Sequence, residues 1–259
     1  METARSKDGT AIAFERSGAG AALVLVHGTT ADRTRWAPIV PALAGRYTVH
    51  AVDRRGRGES GDAPAYVMAR EAEDIAAVVE SIQGPVYVLA HSYGSLCTLE
   101  AALVTDRIAR LVIYEPPIPT GLPIYPPGVI ERLEALLARG ERASLIETFF
   151  REVVRVPPDE MEMLKRLPNW PARVAAAHTV PRELRADEEY VFEPARFAAL
   201  RTPTLFLLGG DSPAFLKKAT EAAHAAVHGS RIEILAGQQH TAMNTAPELF
   251  IEKVFAFLP

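Results

Sequence analysis

The chain has 259 residues, 48% hydrophobic and 23% charged, with a formal net charge of −4. That length fits one domain with a large core and room for an insertion. The mild acidity, with lysines and arginines spread along the chain, argues against a nucleic-acid partner, and no apolar stretch reaches the ~20 residues that span a bilayer. The one cysteine, Cys97, excludes an intrachain disulfide and thiolate metal sites. It lies in the apolar run Leu96 to Val104 and reads as a buried core thiol. The start, Met1-Glu2-Thr3-Ala4-Arg5, has no apolar h-region, so the expectation is a soluble, cytoplasmic protein with no membrane partner.

In chain order, Thr10–Arg16 alternates like an exposed strand, and Ala22–Val26 is a continuous apolar run ending in His27-Gly28. Arg54-Arg55-Gly56-Arg57, the densest basic patch, follows the apolar run Tyr47–Val52, and its glycine suggests a turn. Val67–Ile82 carries apolar residues at helical spacing and stops at Gly84-Pro85. Val86–Ala90 reads as a buried strand, Ser92–Val104 as a helix and Leu111–Tyr114 as a further strand. Apolar strands separated by helices predict a parallel sheet covered on both faces. From Pro116 to Leu200 the rhythm changes. That stretch holds 12 of the 20 prolines and helical pieces at Ile130–Leu137 and Ser144–Val154, without a convincing strand. Thr204–Leu208, Ala214–Val227, Ile232–Leu235 and Glu248–Leu258 then resume the alternation. The expected division is a core of residues 1–115 and 201–259 with a helical insertion at 116–200.

In an open parallel sheet, ligands bind beyond the carboxyl ends of the strands. Ala90-His91-Ser92-Tyr93-Gly94 follows a buried strand and opens a helix. A serine on such a sharp turn stands above the sheet, provided its neighbours two residues away are small, as Ala90 and Gly94 are. The hydroxyl needs an adjacent base. His178, His224 and His228 fall in helical stretches and His50 inside a strand. His91 should face away from Ser92 and pack, and His27 should brace its loop. His240, between the last strand and the last helix, is left as the base. An acid must orient it. Asp211 is preferred because it supplies the order Ser, Asp, His expected of such a site; its bland alternative is a helix N-cap, which Ser212 could supply instead. Glu115, after the fourth buried strand, is the competing acid. The amides of Tyr93 and Thr29 are the candidate oxyanion donors.

His27-Gly28, the segment Asp53-Arg54-Arg55-Gly56-Arg57-Gly58-Glu59-Ser60, the Ser92 elbow, Asp211 and His240 together resemble the α/β-hydrolase superfamily over nearly the whole chain. The first glycine of the family's usual G-x-S-x-G is replaced by Ala90. The resemblance implies a doubly wound α/β fold, a helical cap at 116–200 and a structural role for the Asp53–Ser60 turn. It implies a serine hydrolase of carboxylic esters, thioesters or lactones that forms an acyl-enzyme and needs no metal or organic cofactor. Tyr125, Phe149, Phe150, Trp170, Tyr190 and Phe192 suggest a hydrophobic small-molecule substrate, although most of them are expected to form the cap's own core. Alternatives are carbon–carbon hydrolysis of a diketone-like substrate, cofactor-free haloperoxidase or lyase chemistry, and a ligand-binding protein with little turnover. Oligomerisation is left open.

Overall fold

In the computed structural model, which describes residues 1–156 and 158–259 with the side chains of Asp159 and Glu160 set aside, the apolar runs of the sequence become strands. They are β1 (Glu2–Arg5), β2 (Ala11–Ser17), β3 (Ala21–Val26), β4 (Tyr47–Val52), β5 (Val86–His91), β6 (Ile108–Tyr114), β7 (Thr204–Gly209) and β8 (Arg231–Leu235). Among the described residues these form one sheet in the order β1-β2-β4-β3-β5-β6-β7-β8. β1 pairs antiparallel with β2, and β2 with β4; every later pairing is parallel. This is the mostly parallel, doubly wound α/β architecture that the sequence predicts.

The helices are α1 (Val40–Ala44), α2 (Met68–Ser81), α3 (Tyr93–Ala101), α4 (Val129–Ala138), α5 (Arg142–Thr148), α6 (Pro158–Lys165), α7 (Trp170–Ala175), α8 (Thr179–Glu188), α9 (Pro194–Phe197), α10 (Ala214–Ala226), α11 (Ala242–Thr245) and α12 (Pro247–Phe257), of which α2, α3 and α10 pack on one face of the sheet and α1 and α12 on the other. Successive strand residues point to opposite faces, so β3 divides its side chains between two cores. Val24 and Val26 join Val88, Ala90 and residues of α2, α3 and α10, whereas Leu23 and Leu25 join Trp36, Leu43, Leu89 and residues of α12. Helix α3 is buried along its whole length. Cys97 lies within it, fully enclosed, with its thiol 3.6 Å from Met68 Sδ. No helix is long and apolar enough to cross a membrane among the described residues.

Two differences from the sequence reading have simple causes. β1 is short and largely polar, so it leaves no apolar run to detect, and it forms by pairing with β2. β8 lies at the sheet edge, where Ile234 is 60% exposed; its apolar residues do not mark a buried strand. Between β6 and β7 the chain is helical, including a π-helical turn at Phe149–Val154 that continues α5. Val129, Leu133, Phe149, Leu184 and their neighbours form an apolar cluster of their own. Tyr125 and Trp170 pack on that cluster, and Tyr190 and Phe192 pack on the sheet's core. The aromatics that suggested an apolar substrate are therefore largely engaged in packing.

Candidate active site

Ser92 lies between β5 and α3, at the N-cap of α3, with φ 56° and ψ −131°. A residue with a Cβ is held there at a cost of order 1–3 kcal/mol, which surrounding structure must impose. Its amide donates to Tyr114 O at 2.9 Å, tying the turn to β6. The space around the turn is closed to larger neighbours. A Cβ on Gly94 would lie 2.3 Å from His27 O, and one on Gly28 would lie 2.7 Å from Ser92 Cβ and 3.3 Å from its Oγ. Gly28 is therefore pressed against the serine. The following residue, Thr29, has an amide that no hydrogen bond engages among the described residues. Tyr93 is the first residue of α3, where an amide has no acceptor within the helix. The two candidate oxyanion donors thus belong to segments that meet at Ser92.

His240 stands on the loop after β8, and its Nδ1 is 2.5 Å from Glu115 Oε2. Glu115 is fully buried at the end of β6. Its other oxygen accepts from the Gly209 amide at 2.7 Å and from Ser212 Oγ at 2.5 Å. This corrects the expectation for Asp211. That residue is exposed, and its amide donates to Gln238 O at 2.9 Å. The turn after β7 thus contributes Gly209 and Ser212 to hold the glutamate in place of an acid of its own. Ser212 is spent on Glu115, and α10 begins without a side-chain cap. Among the described residues no hydrogen bond joins Ser92 Oγ to His240; in resting enzymes such bonds are often long and tighten with substrate.

The loop carrying His240 is gripped from below. His91 is directed at that loop, away from the serine beside it. Its Nε2–H donates to the backbone carbonyl of His240 at 2.7 Å, and the two rings lie 4.5 Å apart. Burial, then the nearby His240 and Arg35, keep His91 well below the usual histidine range. Tyr114 donates its hydroxyl to Gln239 O and accepts from the Ala242 amide at 3.2 Å. Sequence reasoning missed Tyr114, a β6 residue that reads as core. His27 braces its own loop as expected: its Nδ1 donates to Gly28 O at 2.8 Å and its Nε2 accepts from the Arg54 amide at 3.2 Å.

The Asp53–Ser60 segment is a turn, and its basic residues are internal. Asp53 accepts from the amides of Arg33 and Glu59. Arg55 pairs with Asp74 at 2.6 Å. Arg54 pairs with Glu71 at 2.6 Å and with Glu183 of α8 at 2.8 Å, and Arg57 also meets Glu183. These groups are almost wholly buried. Tyr66 joins them, donating to Glu71 at 3.0 Å and lying 3.0 Å from the Tyr93 hydroxyl. Nearby, Asp187 accepts from the Tyr125 hydroxyl at 2.5 Å, and burial pushes its carboxyl up to about 8.

The alpha/beta hydrolase family model matches residues 23–253. The crystal structure of an alpha/beta hydrolase from Sphaerobacter thermophilus is similar over 99% of both chains, with a TM-score of 0.86 and 38% identity. The esterase RhEst1 from Rhodococcus sp. superposes with a TM-score of 0.75 at 25% identity, covering 99% of this chain and 97% of that one. Pimeloyl-[acyl-carrier protein] methyl ester esterase from Aeromonas hydrophila is 28% identical over 95% of this chain and 99% of its own length. A probable oxidoreductase, EphD, from Mycobacterium tuberculosis is 35% identical over 49% of this chain; the match spans 23% of EphD, about a quarter of its length.

Proposed function

This chain belongs to the alpha/beta hydrolase family, and we propose that within it the protein cleaves a carboxylic ester, thioester or lactone through an acyl-enzyme on Ser92. The observation that carries this reading is the strained backbone of Ser92, held at a strand-to-helix turn against Gly28. Strain of that kind persists where a reacting group must be presented. The esterase names of two relatives support the same reaction class.

In this reading Ser92 Oγ attacks the carbonyl carbon while His240 Nε2 takes its proton. Glu115, hydrogen-bonded to Nδ1, fixes the histidine's tautomer and stabilises the imidazolium. The amides of Thr29 and Tyr93 receive the developing oxyanion; losing one such donor typically costs ~3–4 kcal/mol of transition-state stabilisation. Collapse expels the alcohol or thiol, which takes the proton from His240. Water, deprotonated by His240, then attacks the acyl-enzyme; the acyl–Oγ bond breaks, Ser92 Oγ takes the proton back from His240, and the acid is freed. Residues 116–200 serve as a cap that shapes the substrate pocket.

A fluorophosphonate probe tests the assignment. It is expected to label Ser92, and Ser92→Ala is expected to abolish both labelling and turnover of p-nitrophenyl acyl esters while circular dichroism is unchanged. Unchanged turnover in Ser92→Ala would refute the proposal.

A further inference from the structure

Most of the chain's buried guanidinium groups are matched by acids: Arg54 and Arg57 meet Glu183, and Arg55 meets Asp74. Arg35 and Arg173 differ. Among the described residues neither forms an ion pair. Arg35 Nη2 rests 3.5 Å from Met243 Sδ, and Arg173 Nη1 donates to Thr30 O at 2.9 Å and to Thr30 Oγ1 at 3.1 Å. Both are half-buried. Burial, with Arg173 nearby, pulls Arg35 down to about 10, so its charge persists at neutral pH. Together with Thr30, Ala31, Asp32 and Asn169 they line a narrow surface cleft. The one acid there, Asp32, is already engaged, accepting from the Thr34 amide at 2.9 Å and from its hydroxyl at 2.5 Å. Asn169 leaves its Oδ1 buried without a partner; turning the amide over would present its NH₂ donors instead.

The cleft adjoins the reacting centre. Thr30 lies two residues beyond Gly28, which is pressed against Ser92, so their Cα atoms are within about 8 Å. Arg35 reaches Met243 in α11, on the loop that carries His240. Two unpaired cations in a partly desolvated cleft are poised for a planar anion, which a guanidinium can bind through two parallel hydrogen bonds.

We propose that this cleft receives a carboxylate of the substrate, so that the esters favoured by the enzyme carry a carboxylate a few bonds from the carbonyl that Ser92 attacks. The proposal rests on the serine-hydrolase reading and narrows it. Arg35 belongs to the sheet domain and Arg173 to the helical insertion, so the bound carboxylate would bridge the two.

The test compares kcat/KM for methyl hydrogen glutarate and methyl hydrogen adipate with that for neutral methyl valerate. In the wild type the charged esters are expected to be favoured. In Arg35→Gln and Arg173→Gln that preference is expected to fall by about 10- to 100-fold, as for the loss of a charged hydrogen bond, mainly through KM. Arg35→Lys should retain part of it, and Arg185→Gln, on the exposed face of α8, should leave it unchanged. A preference ratio unaltered in both glutamine variants would overturn the proposal. A second arm does not need turnover: glutarate is expected to raise the Tm of Ser92→Ala, but not of Ser92→Ala carrying Arg35→Gln. If no ester is cleaved and Ser92 is not labelled, the hydrolase reading fails, and this arm still decides whether the cleft binds a carboxylate; no shift in Tm overturns the site.

Discussion

The sheet domain and the helical stretch between β6 and β7 are held together in different ways. In the sheet, apolar side chains alternate to two faces and bury themselves under helices, and the candidate site residues Ser92, Glu115 and His240 sit at or just beyond strand ends. The helical stretch builds a separate apolar cluster from Val129 to Leu184. Much of its attachment to the sheet is polar: Glu183 to Arg54 and Arg57, Arg173 to Thr30, Arg182 to Asp62, and Arg196 and Tyr190 to Glu100. A hydrophobic pattern reveals a core. A polar seam between two cores looks, in sequence, like any solvated face. The seam is also less one-sided energetically, because buried ion pairs regain hydration when they part.

Substitutions on either side of the seam can break this contrast. The largest effect is expected within the sheet domain. Glu115→Gln should lower kcat by roughly 10³- to 10⁴-fold, the scale of losing a triad acid, whereas Asp211→Asn should stay within about threefold; equal losses, or the reverse order, would restore Asp211 as the acid. Next, Glu183→Gln removes the carboxylate shared by Arg54 and Arg57. It should cost about 3–5 kcal/mol in urea unfolding, while Glu188→Gln on the exposed side of α8 should change stability by no more than about 0.5 kcal/mol. A small effect at Glu183 would mean that the seam is already hydrated. The third effect, read as a change with pH, concerns Asp187. Its carboxyl titrates at about 8 when folded, against an ordinary 3.8. Between those values the unfolded chain binds fewer protons than the folded one, so stability falls as pH rises through the interval. Asp187→Asn removes that loss, and its Tm relative to wild type should climb between pH 5 and 8. A constant difference would show that Asp187 ionises normally.

Much of the sheet was legible in the sequence because its strands are continuous apolar runs bounded by Gly, Pro or charged residues, and β3, β4 and β5 fall where those runs predict. Ser92 and His240 stood out as candidates from position alone. The carboxylate that meets His240 did not. Glu115 and Asp211 both follow apolar strands, and both give the order serine, acid, histidine, so chain order could not separate them. What separates them is sheet order: β6 lies directly beside β5, which brings Glu115 next to the Ser92 turn, while Asp211 turns outward. A chain cannot announce that Ser212 will donate to an acid on another strand. Arg35 and Arg173 were equally hidden, since an arginine without a partner looks the same in sequence as one that has found an acid. The Arg54–Arg57 patch was legible as a turn, but the burial of its guanidinium groups was not.

Cys97 gives the molecule an experimental convenience. It is the chain's one thiol, sealed inside α3, and burial raises it well above the ordinary thiol range. A buried thiol that stays protonated is a poor nucleophile, so it should resist maleimide and spin-label reagents in the folded protein. Cysteines introduced at exposed positions such as Val191 on the insertion and Ile234 on the sheet edge would then be the labelled pair, without first stripping out a native thiol. Distances between such labels, read with and without a bound carboxylate, would follow the two halves of the molecule directly in solution.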